Sequence, residues 1–146
     1  EYSTIENIPA YVLDNHHGDC GQVTLLFLTL CRSLGIPAHF QSGFMLHPGE
    51  ENLHDWGEIY VPEYGWVPVD QSFGIPAYAK NEQETYFFFG GIDSFRMIVN
   101  NDYGCPLYPT KQFPRSETVD FQRGEVEWAG GNLYFDQWRW KLEVVK

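Results

Sequence analysis

The apolar positions of the chain are densest between Cys20 and Leu34, where almost no polar face remains. Such a pattern is typical of a helix that is buried on most sides, since an amphipathic surface helix keeps a polar face. Asp19 can cap the N-terminus of this helix, and Gly35 can end it in the left-handed conformation. The sequence therefore predicts a buried central helix that begins at Cys20.

Alternating apolar and polar positions after this helix predict several β-strands. The three strand-like runs nearest to it are residues 38–46, 54–61 and 65–70. The turn Pro62–Gly65 joins the last two runs as a hairpin. Because successive side chains of a strand point to opposite faces, His54, Trp56 and Glu58 share one face of the middle run.

The second half of the chain carries weaker signals. Its predicted elements are a short helix at 82–88, a strand at 95–99 and a long hairpin around the turn Ala129–Asn132. One leading helix followed by antiparallel strands is an α+β arrangement. The 146 residues are enough for a single domain over 1–146. Because the chain opens with Glu1 and not with Met, we expect it to be a fragment of a longer chain.

Composition narrows the classes of function. With 9 basic and 20 acidic residues the formal net charge is −11, which argues against a nucleic-acid partner. No apolar run reaches about 18 residues, so we expect no membrane span. Three irregularly spaced cysteines argue against a disulfide framework or a structural zinc site, although a pair between Cys31 and Cys105 stays open. The histidines show no ligand spacing, so we expect no metal and no cofactor.

Cys20 stands at the start of the predicted helix, where a cysteine can act as a nucleophile. The unpaired N–H groups and the positive dipole end of the first turn stabilise a thiolate, which predicts a lowered thiol pKa. Gly21 leaves room for a substrate backbone to approach. With an uneven or bulged hairpin, His54 and Asp70 become neighbours and supply a base and its orienting carboxylate. Taken singly, the three residues could also be a buried thiol, a surface histidine and a turn-capping aspartate.

Three blocks of the sequence resemble the transglutaminase-like superfamily, which shares the papain-like cysteine-enzyme core. They are GDCGQVTLLFLTLCRSLGIPA, HDWGEIYV and GWVPVD, and they occur in this order between Asp14 and Gly74. The resemblance implies a central helix packed on an antiparallel sheet or barrel. It also implies Cys20 as the nucleophile, His54 as general base and acid, and Asp70 as the residue that orients the imidazole.

The residues around the nucleophile depart from the family pattern at the oxyanion hole. Papain-like relatives place a glutamine six residues before the cysteine, where this chain has Asp14. The Cys20 N–H is one oxyanion donor because it lies at a helix start. Asn15 and Tyr11 are the candidates for the second donor. Trp56, on the same strand face as the histidine, is the aromatic residue expected to bind substrate.

The residues and the resemblance together predict thiol-dependent acyl transfer on peptide or amide bonds. Water as the acceptor makes the protein a peptidase or amidase, whereas an amine makes it a crosslinking enzyme, and we favour hydrolysis. The expected partner is a protein or peptide substrate, with a cell-wall peptide or glycopeptide as an alternative. A non-catalytic transglutaminase-like scaffold or interaction domain is the competing interpretation. The missing start Met and the exported domains of the family favour an extracytoplasmic location.

Overall fold

The computed structural model describes residues 2–74, 79–120 and 122–145. The helices in this part of the chain are α1 (Ile8–Asn15), α2 (Cys20–Ser33) and the short α3 (Glu82–Thr85). The strands are β1 (Ala38–Met45), β2 (Asn52–Val61), β3 (Gly65–Val69), β4 (Arg96–Asn100), β5 (Val126–Trp128) and β6 (Gly131–Leu133). Helix α2 precedes the strands, as the sequence pattern predicts, and the additional helix α1 lies before it.

Strands β1 to β4 form one antiparallel sheet with the order β3-β2-β1-β4. The predicted hairpin between β2 and β3 is present, with Val61 opposite Gly65 and Gly57 opposite Val69. The pairing of β1 with β4 brings the middle of the chain back to the sheet. The antiparallel sheet and the helices confirm the α+β prediction.

The ends of α2 are formed by the residues that the sequence indicates. The Asp19 carboxylate accepts a hydrogen bond from the Gln22 N–H at 2.9 Å, and the Gln22 side chain accepts one from the Asp19 N–H at 3.2 Å. This reciprocal capping box satisfies two donors of the first turn. At the other end Gly35 has φ +77, a left-handed conformation that glycine adopts without strain. The start and the end of α2 are therefore determined by residues next to them in the sequence.

The packing of α2 differs from the prediction of a helix buried on most sides. Leu25, Leu28 and Cys31 lie in the core cluster, which also includes Phe40 of β1. Leu30, however, is 48% exposed, and Arg32 and Ser33 of the last turn are exposed as well. The sheet covers one face of the helix, so the apolar character of the other face does not reflect burial in the described structure.

The C-terminal part of the chain is less regular than predicted. Strands β5 and β6 pair over three residues each, so the predicted long hairpin is short. Residues 134–145 form no helix or strand, and Trp140 and Val145 are exposed. Phe121, in the predicted first arm, lies outside the described residues. Helix α3 also ends at Thr85, earlier than the predicted boundary. Alternation alone is a weak guide here because strand pairing needs a partner in register.

Candidate active site

The β2–β3 hairpin brings His54 and Asp70 together, and their side chains hydrogen bond at 2.7 Å between Nε2 and Oδ2. The observed register pairs Gly57 with Val69, so one further step puts Asp70 opposite Trp56 and diagonal to His54. Diagonal residues on one face of an antiparallel pair are within reach of a long side chain. The contact therefore needs no bulge, contrary to the expectation from the sequence.

Arg96 of β4 completes the surroundings of this carboxylate. Its Nη1 donates to Asp70 Oδ2 at 2.7 Å, and its Nε donates to Asp93 at 3.1 Å. The Arg96 side chain is 2% exposed, and its guanidinium lies 4.8 Å from the centre of the Phe73 ring. A buried charge is tolerated only with an opposite charge and further hydrogen bonds, and this guanidinium has both. His54 and Arg96 thus contact the same oxygen of the Asp70 carboxylate.

Trp56 supports the imidazole from within the protein. The two ring centres are 5.9 Å apart, and the planes are inclined by 29°. Trp56 has no exposed surface, and its Nε1 donates to Gln41 at 2.5 Å. A side chain without exposed surface cannot contact a substrate in this conformation. In this conformation Trp56 supports His54, and the substrate-binding role predicted for Trp56 stays a prediction.

Cys20 is the first residue of α2, and its thiol is directed to Asp55 rather than to His54. The Sγ atom donates to Asp55 Oδ2 at 3.4 Å. Asp55 and Gly57 share the face of β2 that packs on α2, since a Cβ on Gly57 would lie 3.1 Å from Leu28. His54, next to Asp55 in the strand, belongs to the opposite face. The described structure thus divides the predicted triad between two hydrogen-bond networks, and the triad as a unit stays a prediction.

Burial raises the pKa of the Cys20 thiol, and the negative charge of Asp55 raises it further. This direction is opposite to the lowered pKa predicted from the helix N-terminus, so that expectation is wrong for this conformation. The helix dipole lowers the thiol pKa only through partial charges. Burial removes the hydration of the full thiolate charge, and this larger effect raises the pKa. In the observed arrangement the sulfur is a protonated hydrogen-bond donor.

The neighbours of Gly21 leave no room for a side chain at this position. A Cβ at this position would lie 2.2 Å from the Tyr2 hydroxyl and 2.7 Å from Asp55 Oδ2. The Tyr2 hydroxyl donates to the Asp19 carboxylate at 2.6 Å. The space beside Gly21 is therefore filled by side chains of the protein in this conformation, and the predicted approach of a substrate backbone stays a prediction.

The candidate oxyanion donors differ in their availability. The first hydrogen bond of the α2 ladder runs from Val23 N–H to the Asp19 carbonyl, so the Cys20 N–H lies outside the ladder. Asn15 donates its amide to the Tyr11 carbonyl at 2.8 Å. The Tyr11 ring packs edge-on against His17, with ring centres 6.1 Å apart. The oxyanion role of the Cys20 N–H and that of the second donor both stay predictions.

Three residues of these networks belong to no motif of the sequence and were not predicted as site residues, namely Asp55, Arg96 and Gln122. Gln122 donates to Asp55 Oδ1 at 2.9 Å, and the two residues are 67 positions apart. Arg96 interrupts an apolar strand, and a single cation in such a run is a signal of a buried ion pair. Asp55 lies between the predicted base and Trp56, and alternation along the strand turns its side chain toward the helix.

The described residues contain no group of three or more histidines, cysteines or acidic residues that could hold a metal ion. Among the other histidines, His39 pairs with Glu58 at 2.6 Å and His47 with Asp93 at 3.4 Å. The three cysteines are free thiols. None of the helices within the described residues is long and apolar enough to cross a membrane.

The first 71 residues match the family model of the transglutaminase-like superfamily. This match confirms the resemblance carried by the three sequence blocks, and it assigns residues 1–71 to that superfamily. Transglutaminase-like proteins generally include cysteine peptidases and acyltransferases. The residues from β4 onward lie outside the matched segment.

Two curated proteins illustrate the likeness. "Uncharacterized protein YebA" of Bacillus subtilis is 27% identical over 82 residues, which are 47% of this chain and 11% of that protein. The imidazole glycerol phosphate synthase subunit HisH of Vibrio parahaemolyticus is 31% identical over 91 residues, which are 58% of this chain and 44% of that subunit. The chain therefore spans less than half the length of either relative. No solved structure matches it significantly.

Proposed function

We propose that this protein catalyses acyl transfer on peptide or amide bonds, with Cys20 as nucleophile, His54 as acid and base, and Asp70 as the orienting residue. The observation that carries the proposal is the 2.7 Å hydrogen bond between His54 Nε2 and Asp70 Oδ2. These are the positions to which the family resemblance gives that role. Because Asp70 occupies Nε2, Nδ1 is the ring nitrogen left for the proton of the thiol.

The reaction has two steps. The Cys20 sulfur transfers its proton to His54 and attacks the carbonyl carbon of the substrate amide, with the Cys20 N–H donating to the oxyanion. The carbon–nitrogen bond then breaks, and His54 returns the proton to the leaving amine, which leaves a thioester. In the second step water or an amine attacks the thioester, and its proton passes through His54 to the sulfur. Asp70 stabilises the imidazolium in both steps.

The reaction requires the Cys20 side chain to turn from Asp55 toward His54. Because His54 lies on the face of β2 opposite to α2, this turn requires a change in the packing of the α2 N-terminus on β2 as well as in the Cys20 side-chain torsion. The contact that is broken is a single thiol hydrogen bond of 3.4 Å. We favour water as acceptor, so that the protein acts as a peptidase or amidase.

A second candidate function is a non-catalytic transglutaminase-like scaffold. The observation that favours it is the burial of the Cys20 thiol, which together with Asp55 raises the pKa of the sulfur. A thiol that never reaches the histidine is a poor nucleophile. The two candidates therefore differ in one measurable property, the influence of His54 on Cys20 reactivity.

The experiment follows iodoacetamide alkylation of each cysteine by peptide mass spectrometry from pH 5 to pH 10, in the parent chain and in His54→Ala. For a catalytic site we expect Cys20 to react faster than Cys31 and Cys105, and to lose that advantage without the imidazole. His39→Ala is the matched control, because His39 also pairs with a carboxylate, Glu58, on the same sheet. Equal profiles of Cys20 in all three proteins would contradict the catalytic proposal and support the scaffold.

A second measurement separates the acceptors. Peptide amides are incubated with the protein and a fluorescent primary amine, and both released amine and incorporated fluorescence are recorded. Hydrolysis predicts release without incorporation, whereas crosslinking predicts incorporation. In either case we expect His54→Ala to lose activity by roughly 10²–10⁴-fold, the range for removal of an acid–base residue.

A further inference from the structure

Asp55 is the described residue that hydrogen bonds to the Cys20 sulfur, although no motif singles it out. Its Oδ2 accepts from the thiol at 3.4 Å, and the residue is 2% exposed. It stands next to His54 in β2 but on the face that packs against α2. The thiol therefore contacts Asp55, whereas the neighbouring residue His54 lies on the opposite face of the same strand.

Gln122 fixes the second oxygen of this carboxylate. Its Nε2 donates to Asp55 Oδ1 at 2.9 Å, while its Oε1 accepts from the Ser42 hydroxyl at 3.2 Å. Ser42 lies directly opposite Asp55 in the β1–β2 pairing. Both carboxylate oxygens are thus directed, one to the thiol and one to an amide held by the neighbouring strand. A buried carboxylate with both oxygens engaged has little freedom to rotate.

Charged and titratable groups from several elements act electrostatically on Asp55. They are Asp19 and Cys20 of the α2 terminus, His54 of β2, Tyr2 of the N-terminal turn and Asp120 of the C-terminal segment. Burial raises the pKa of Asp55 to about 6, in spite of the hydrogen bonds from Gln122 and Cys20 that lower it. The Oδ2 atom of this carboxyl is the acceptor of the thiol hydrogen bond.

We propose that Asp55 is a positioning residue of the nucleophile: it holds the Cys20 thiol in a resting orientation, protonated and turned away from His54. Gln122, from the segment outside residues 1–71, fixes Asp55 in that role. The inference rests on the proposed function in one respect, namely that Cys20 is the nucleophile. The sulfur is released when the Cys20 side chain exchanges its hydrogen bond to Asp55 for one to His54.

The test compares Asp55→Asn with the parent chain in the alkylation profile of Cys20. Asparagine keeps the shape of the side chain but removes the charge that opposes a thiolate. We expect the apparent pKa of Cys20 to fall, and alkylation at pH 7.5 to be faster by about tenfold for each unit of that fall. Asp120→Asn is the matched control: it removes a buried carboxyl from the same neighbourhood that has no hydrogen bond to the sulfur. Its Cys20 profile is expected to follow that of the parent at neutral pH.

Gln122→Leu is a second variant in case Asp55→Asn does not fold. Loss of the amide frees Asp55 Oδ1, and we expect Cys20 alkylation to change in the same direction by a smaller factor. Unchanged profiles in both variants would overturn the inference. Slower alkylation in Asp55→Asn across the pH range would also overturn it, because Asp55 would then act as a base.

Combination with His54→Ala distinguishes the two proposals. If Asp55→Asn accelerates alkylation and His54→Ala has no effect in either background, the positioning role holds and the proposed catalytic function fails. If His54→Ala slows alkylation but Asp55→Asn leaves it unchanged, the catalytic function is supported and the positioning role fails.

Discussion

His54 and Asp55 are neighbours in β2, but the two faces on which they lie are built in different ways. On one face the Asp70 carboxylate accepts hydrogen bonds from His54 and from Arg96, both at 2.7 Å, so one carboxylate is bound by a histidine and by a cation. On the other face a neutral amide, that of Gln122, and the Cys20 thiol donate to Asp55. The first face is a complete ion-pair network, whereas on the second face an acid is held by neutral donors.

This difference determines how each face responds to a substitution. In an ion-pair network the loss of one partner leaves a buried charge without compensation, which is costly. An acid held by neutral donors can instead take up a proton when its surroundings change. We call the face with His54, Asp70 and Arg96 the His54 face, and the face with Asp55, Cys20 and Gln122 the Cys20 face. The His54 face is therefore expected to be rigid and sensitive to mutation. The Cys20 face is expected to respond mainly to pH and to steric change.

The largest effect is expected from Arg96→Met, which removes the cation from the His54 face. The side chains of Arg96 and Asp70 are 2% and 1% exposed, so the remaining carboxylate would be buried without its cation. We expect a loss of about 3–5 kcal/mol in the free energy of unfolding, measured by urea denaturation. Lys141→Met is the control, because Lys141 pairs with Glu143 on the surface and should change stability by no more than about 0.5 kcal/mol. Equal effects of the two substitutions would contradict the ion-pair network.

The fold was most predictable where contacts are local in sequence. The capping box of α2 and the β2–β3 hairpin each join residues a few positions apart, so caps, turn and alternation indicate them directly. The chain from 101 to 125 has no helix or strand in the described residues, and no periodicity reveals where it lies. The predicted long hairpin failed for a related reason, since alternation does not specify the length of a pairing.

The same distinction applies to the candidate site. His54 and Asp70 meet through one hairpin, 16 positions apart, and this contact follows from the register. Asp55 and Gln122 meet across 67 positions through an irregular segment, and sequence alone gives no constraint on such a contact. The position of Cys20 at the helix start is also local, whereas its hydrogen-bond partner depends on how deeply α2 packs on the sheet. The sequence therefore predicted the residues of the site better than their contacts.

A moderate effect is expected from Gly21→Ala, which tests the close packing on the Cys20 face. The added methyl would lie 2.2 Å from the Tyr2 hydroxyl, and overpacking of this kind costs about 1–3 kcal/mol. Tyr2→Phe removes that hydroxyl together with its hydrogen bond to Asp19. We therefore expect Gly21→Ala to destabilise the Tyr2→Phe background less than the parent, with a coupling energy of at least about 0.5 kcal/mol in urea denaturation. Additive effects would show that Gly21 does not approach Tyr2 as described.

A purely pH-dependent effect is expected from Asp120→Asn, which tests the raised pKa of this buried carboxyl on the Cys20 face. Burial raises the pKa of Asp120 to about 9, and the charges of Asp55 and Glu117 contribute in the same direction. Since an unfolded aspartate titrates near 3.9, the folded chain holds a proton that the unfolded chain releases in this window. The stability from this group is complete below about pH 4 and is lost as pH rises toward 9.

Asparagine cannot titrate, so the variant should lose less stability than the parent between pH 5 and pH 9, and the difference should widen as the pH rises. Urea denaturation at pH 5, 7 and 9 measures the difference. Glu63→Gln, at an exposed turn position, is the control for loss of one negative charge and should follow the parent. Parallel pH dependence of Asp120→Asn and the parent would mean that the Asp120 carboxyl is hydrated. The Cys20 face would then lack the acidic character that distinguishes it from the His54 face.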